Sequence, residues 1–265
     1  MTMDRIRVLL LGAAGRMGRE VVHAVSGQSD LALVAAVDHN RLGEDAGIIA
    51  GMEPLGLPIT DDLRRAIADS SPDVAVDFTL PESVFGNART IIQSKIACVI
   101  GTSGLSEQNL IELASLCEEY SAPAFYTPNF AIGAVLMMQF AAQAARHMDA
   151  VEIIELHHAT KLDSPSATAV RTAQLMAGVP NTRVTHPPSA DRGPARGQMA
   201  AGIAVHSVRL PGLVAHQEVI FGGLGQTLTI RHDSIGRESF MPGVLLAIRR
   251  ARSLTGLTVG LEKIL

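Results

Sequence analysis

Short apolar runs separated by stretches of helical spacing organise the first half of the chain. Residues 5–11 (RIRVLLL), 31–37 (LALVAAV), 73–78 (DVAVDF), 96–100 (IACVI) and 122–126 (APAFY) are continuous and β-prone. Helical patterns at 19–25, 61–68, 83–94 and 106–118 fall between them, and the Gly- and Pro-rich residues 43–58 read as a loop. Fully apolar strands alternating with helices bury both sheet faces, so this half is expected to be an α/β unit with a Rossmann-like, doubly wound parallel sheet.

The rhythm changes after residue 129. A long apolar helix is expected over 132–147, then a half-solvated strand over 151–157 in which apolar and polar residues alternate. A helix at 167–176 and a loop rich in Pro, Arg and Gly at 179–197 follow. Further strand runs lie at 203–210, 213–220 and 226–232, linked by Pro211-Gly212 and by residues 222–225. Strands joined by short turns imply a second, α+β domain whose mixed or antiparallel sheet has one buried face. A closing helix at 240–252 is expected to return to the first domain. The expected division is therefore residues 1–129 with 240–265, and residues 130–239, with a hinge near Phe130 and Phe240.

In a doubly wound sheet, ligands sit at the carboxyl ends of the strands. Here those ends are Gly12, Asp38, Phe78-Thr79 and Gly101-Thr102-Ser103. The first strand runs into Gly12-Ala13-Ala14-Gly15-Arg16-Met17-Gly18, a GxxGxxG turn opening a helix. Gly12 permits a tight turn, Gly15 a close approach to pyrophosphate, and Gly18 close helix packing. Asp38 stands where such folds place the acid that accepts from ribose hydroxyls, which favours NAD; the nearby Arg41 softens that preference, so NADH, NADPH or both are expected.

The densest chemistry is ELHHATKLDSPSAT, residues 155–168. His157 and His158 can titrate near neutrality and Lys161 supplies a cation, while Asp163 is expected to support the turn. With Ser164 as N-cap and Pro165 as first helical residue, the backbone N–H groups of Ser166, Ala167 and Thr168 would form an anion seat. Adjacent strand residues face opposite sides, so His157 and His158 do not read as one metal site, and no metal is expected. The other histidines lack such company. Met137, Met138 and Phe140 read as packing.

Composition narrows the partners. The 265 residues are 47% hydrophobic and 18% charged, as in ordinary globular chains. A net charge of −4, no Lys/Arg run and 3% aromatic residues argue against nucleic acid. Residues 8–11 are too short for a signal core, and the apolar tract 130–145 is broken by Gln139 and Gln143 and too short for a bilayer, so no membrane association is expected. Cys98 and Cys117 read as buried small hydrophobes in a reducing compartment, and the expected location is the cytoplasm.

With these residues in view, the chain resembles the 4-hydroxy-tetrahydrodipicolinate reductase (dihydrodipicolinate reductase) family over nearly its whole length. The resemblance rests on GAAGRMG at 12–18, GTSG at 101–104, TPNFAIG at 127–133 and ELHHATKLDSPSAT. The last is the most specific, because the family pattern there is EHHxxKxDAPSGTA. It implies NADH- or NADPH-dependent reduction of a cyclic imine dicarboxylate in lysine and diaminopimelate biosynthesis. It also implies cofactor contacts from Gly12, Ala13, Ala14, Gly15, Arg16, Met17, Asp38, Gly101, Thr102, Ser103, Thr127, Pro128, Asn129 and Phe130. His157 and Lys161 would donate protons, and His158, Ser166, Ala167 and Thr168 would hold the substrate. A homotetramer with joined second-domain sheets is implied as well. Ala167 replaces the family's glycine, which would matter if the position needed positive φ. Two other readings of the residues are a reductase of another imine or keto acid, and a non-catalytic nucleotide sensor.

Overall fold

The computed structural model describes residues 5–180 and 194–265. The stretch expected as a loop at 179–197 falls mostly on residues 181–193, outside the described ones. Two compact units emerge, residues 1–131 with 240–265 and residues 132–239.

In the first unit strands and helices alternate in chain order. They are β1 Ile6–Leu11, α1 Arg16–Ser26, β2 Leu31–Val37, α2 Ala46–Ala50, β3 Ile59–Thr60, α3 Leu63–Ser70, β4 Val74–Asp77, α4 Pro81–Gln93, β5 Ala97–Ile100, α5 Glu107–Tyr120 and β6 Ala124–Tyr126. The second unit holds α6 Ile132–Ala144, β7 Ala150–His157, α7 Ala167–Ala177, β8 Gln198–Ala200, β9 Ile203–Arg209, β10 Ala215–Gly223 and β11 Gln226–Ser234. The chain then returns to the first unit with α8 Met241–Ala251 and β12 Leu257–Val259.

The first unit's sheet has the order β12-β6-β5-β4-β1-β2-β3, and every pairing is parallel. The strands from β3 to β6 follow the doubly wound order, which reverses beside β1. Val8, Leu9, Leu10 and Leu11 are all buried because helices cover both faces, each side chain contributing about 1.5–3 kcal/mol of transfer free energy. α2 lies inside the stretch expected to be a loop. Asp45 caps it, accepting from the N–H groups of Gly47 and Ile48, but five residues in Gly-rich sequence leave no periodicity to read. β12 is likewise too short, at three residues, to show a pattern in the sequence.

The second unit's sheet has the order β11-β10-β7-β9-β8. Ile153, Val205, Val219 and Phe221 lie on one face and pack with Met137 and Ala141 of α6 and Ala169, Ala173 and Met176 of α7. Residues 203–210 and 213–220, joined by Pro211-Gly212, do not pair with each other. β7 lies between β9 and β10, paired parallel to β9 and antiparallel to β10, so the sheet is mixed. The turn instead carries the chain past the end of β7, where Leu210 N donates to His157 O at 3.1 Å. A buried central strand needs backbone partners on both edges, and that requirement overrides the local hairpin signal.

Candidate active site

The GxxGxxG turn forms the floor of a cleft in the first unit. Gly12 has φ +79°, and a Cβ there would stand 2.6 Å from Phe78 O, so the turn presses backbone on backbone. Gly15 caps α1 without a side-chain hydrogen bond, and the first turn of α1 carries no acid. Its leading N–H groups are thus not taken by a side chain at the cap, as an approaching pyrophosphate requires. Asp38 Oδ2 accepts from Ala14 N at 3.0 Å and Oδ1 from Asn40 N at 2.9 Å, which fixes the carboxylate beside the turn. Gly12, Ala14, Gly15, Asp38, Arg41 and Thr79 line a cavity of about 530 Å³ with Asn87 at its wall. These residues fit a dinucleotide: a glycine cradle, a helix start and an acid sized for ribose hydroxyls.

Further cofactor candidates flank the adjoining strand ends. Gly101 N donates to Asp77 O, Thr102 Oγ1 to Thr79 O at 2.9 Å, and Ser103 is exposed. Thr127 N donates to Ile100 O, and Thr127 Oγ1 donates to Asn129 O at 3.0 Å, closing a turn at the exposed Pro128. Phe130 is buried, its ring 5.7 Å from that of Phe78. Ala13 is buried beneath the glycine turn, whereas Arg16 is exposed and Met17 half-buried on the first turn of α1. At the end of β4, burial raises the Asp77 carboxyl above its ordinary value, although Thr79 and Asn87 donate to it.

In the second unit, the end of β7 carries His157. Its Nδ1 lies 2.5 Å from Oε2 of Glu155, which is two residues earlier on the same strand face and fully buried. Burial pushes Glu155 upward, but hydrogen bonds from Arg209, Ser207 and His157 and the Arg209 charge outweigh it, leaving the carboxyl below its usual range. Burial lowers His157 below the ordinary imidazole value; Glu155 opposes this, and the charges of Lys161 and Arg209 add to it. Lys161 Nζ donates to Asp163 Oδ1 at 2.7 Å, and His158 is exposed with Nδ1 2.8 Å from Thr160 Oγ1.

The helix seat differs from the expected one by two residues. Ser166, not Ser164, caps α7: its side chain accepts from Ala169 N at 3.2 Å. Pro165 follows a cis peptide bond and precedes the cap. Ser166 N is taken by Glu155 Oε1 at 3.2 Å, so the N–H groups left for an anion at this helix start are those of Ala167 and Thr168. Ala167 is the first helical residue and is absent from the positive-φ positions, so alanine sits there without backbone strain. Thr172 Oγ1 donates to Thr168 O and accepts from the buried Gln217, pinning this turn to β10.

Two residues of this site are not marked as functional by the sequence pattern. Glu155 opens the motif but reads there as one polar position of an alternating strand; its pairing with His157 at a spacing of two was the available signal. Arg209 gave none. Parallel pairing sets it opposite His157, where its two Nη atoms reach the Glu155 oxygens at 2.8 Å each and Nη2 also donates to Asp163 O.

Comparison with known proteins decides the family. Residues 6–130 match the family described as dihydrodipicolinate reductase, N-terminus, and residues 133–265 match dihydrodipicolinate reductase, C-terminus. The chain belongs to the dihydrodipicolinate reductase family. It is 50% identical over 261 residues to the 4-hydroxy-tetrahydrodipicolinate reductase of Moorella thermoacetica, covering 98% of each chain. The same-named protein of Synechocystis sp. is 47% identical over 273 residues, covering 99% of this chain and 98% of the relative. Among solved structures, a dipicolinate-bound dihydrodipicolinate reductase from Paenisporosarcina sp. TG-14 superposes with a TM-score of 0.86 at 43% identity, covering 98% of this chain and all of that one. An amine dehydrogenase from Mycobacterium smegmatis shares the fold, with a TM-score of 0.67 at 15% identity. The C-terminal segment of the dihydrodipicolinate reductase family includes α8 and β12, which this structure places in the first unit. Among the described residues, no group of three or more His, Cys, Asp and Glu side chains is placed to hold a metal.

Proposed function

We propose that this chain is an NAD(P)H-dependent reductase that converts 4-hydroxy-tetrahydrodipicolinate, or its dehydrated form dihydrodipicolinate, to tetrahydrodipicolinate. The observation that carries the reading is local to the second unit. An imidazole whose Nδ1 is engaged by Glu155 stands at a strand end, with Lys161 near enough to act on its charge and the open N–H groups of Ala167 and Thr168 close by in sequence. Such a corner seats a carboxylate and delivers a proton.

Gly12, Ala13, Ala14, Gly15, Arg16, Met17 and Asp38 hold the dinucleotide on this reading, with Gly101, Thr102, Ser103, Thr127, Pro128, Asn129 and Phe130 shaping the nicotinamide end. Bound reduced nicotinamide supplies a hydride. Once the 4-hydroxy form has lost water to give the conjugated imine, hydride addition would move electron density toward the ring nitrogen, and the neighbouring carbon would then take a proton. His157 presents Nε2 as the donor. Lys161 supplies positive charge and assists the transfer. His158, Ser166, Ala167 and Thr168 fix the carboxylates.

The assembly on this reading is a homotetramer formed through the sheet face opposite α6 and α7. Ile154 and Ile220 lie there beside Glu152 and His206 along a depression of about 390 Å³. The cytoplasm is the proposed location, which suits the free, buried thiols of Cys98 and Cys117. No helix of the described residues is long and apolar enough to cross a membrane.

A coupled assay tests the function. The synthase, pyruvate and aspartate semialdehyde are supplied with NADH or NADPH, and loss of reduced cofactor is followed by absorbance. Oxidation that depends on the condensation product is expected. Oxidation only with other imines or keto acids would move the activity elsewhere, and cofactor binding without oxidation by any of them would make the chain a sensor.

A further inference from the structure

Glu155 is the hub of the second-unit site, and its surroundings fix the protonation of His157. Its Oε1 accepts from Arg209 Nη2 at 2.8 Å and Ser166 N at 3.2 Å; its Oε2 accepts from Arg209 Nη1 at 2.8 Å and faces His157 Nδ1 at 2.5 Å. The group is fully buried and paired with a guanidinium, so it is a carboxylate and can only accept. Nδ1 of His157 must then carry a hydrogen. In the neutral ring this leaves Nε2 as the bare nitrogen, the one atom at which a proton is gained and lost.

We propose that Glu155 is a positioning residue of the reductase: it locks His157 in the Nδ1–H tautomer so that Nε2 alone exchanges the catalytic proton, and through Ser166 it ties that imidazole to the carboxylate seat on α7. The role in turnover rests on the reductase reading above, whereas the tautomer does not. Charged groups acting on His157 come from three elements: Glu155 on β7, Lys161 on the loop after it, and Arg209 on β9; Asp163 on the same loop pairs with Lys161. β10 sets Ala215 opposite His157, and the first turn of α7 carries no acid. A carboxylate at position 155 therefore does two things together: as a pure acceptor it holds the Nδ1–H tautomer, and by its charge it favours the imidazolium that must form before a proton can be given up.

Glu155→Gln separates the roles. The amide oxygen is best placed at the Oε1 position, where it meets Arg209 Nη2 and Ser166 N; that leaves the NH2 against one donor, Arg209 Nη1, whereas the opposite rotamer sets it against two. The NH2 then faces Nδ1 and donates to it, so the neutral ring switches to Nε2–H.

The test is nitrogen NMR of the full-length protein labelled with 15N-histidine, with His157→Gln assigning the signal among nine histidines. Wild type is expected as the Nδ1–H tautomer above its titration and Glu155→Gln as Nε2–H. In the variant kcat falls by about 10²-fold, the scale of a positioned general acid. Its imidazole limb moves to lower pH while the dissociation constant for NADH is unchanged. If Glu155→Gln does not fold, the pair Glu155→Gln with Arg209→Met removes the unmatched guanidinium and is read by the tautomer and kcat, because loss of the Arg209 charge moves the limb by itself. An Nε2–H ring in wild type overturns the proposal, as does a folded variant with unaltered tautomer, limb and kcat. Absence of wild-type turnover with the condensation product removes the reductase reading and leaves the tautomer result standing.

Discussion

Arg209 closes both Nη atoms on the buried Glu155 carboxylate although 54 residues separate them in sequence. Removing one member of such a pair leaves the other buried without compensation. Arg209→Met is therefore expected to lower unfolding free energy by about 3–5 kcal/mol in urea titration. Loss below about 1 kcal/mol would mean that water already reaches the pair.

Acid should destabilise the protein in two stages. His157 sits below the ordinary imidazole value in the fold, burial being the largest cause. The native state therefore binds fewer protons than the unfolded chain, and stability present above about pH 6.5 declines as pH falls below it. Glu155 and Asp45 are also depressed, so their contributions, complete above about pH 4.3, fade as pH falls further. Urea midpoints measured across that range check both stages, and His157→Gln should flatten the first.

The same imidazole predicts a separation between two kinetic profiles. Burial, and added to it the neighbouring charges of Lys161 and Arg209, lower His157 in the free protein, and a bound dicarboxylate offsets the charges. The alkaline limb of kcat is expected at higher pH than that of kcat/KM, because the former reports the complex and the latter the free enzyme. Coincident limbs would show that substrate charge does not reach His157.

Ala167 and Ser166 should respond in opposite ways. Ala167 is helical and exposed, so Ala167→Gly is expected to leave KM for the imine within about a factor of three, under 1 kcal/mol. Ser166→Ala removes the cap on α7 and should destabilise by about 1 kcal/mol while raising KM, since the seat loosens. Steady-state kinetics with thermal melts on both variants decide the matter.

Gly12→Ala adds a Cβ 2.6 Å from Phe78 O at φ +79°. The left-handed conformation alone costs about 1–2 kcal/mol, and the turn must also shift. NADH affinity, measured by fluorescence titration, should fall sharply while the second unit's tautomer signal at His157 persists.

The chain's own pattern determined the parallel sheet, the glycine turn, Asp38 at the end of β2 and the titratable corner at residues 155–168, because each is written in contiguous residues whose period or spacing has a local physical cause. Short elements such as α2 and β12 carry too few residues for any period to emerge. The cap shifted from Ser164 to Ser166 because both serines suit the role locally, and the choice fell to a distant group, Glu155, which takes Ser166 N. Tertiary structure alone decided that β7 is central, that β9 runs parallel beside it, and that Arg209 therefore faces His157. Strand order follows from which faces and edges can be buried together, and no neighbouring residues encode it. A polar position in an alternating strand became the buried hub of the site through that same packing.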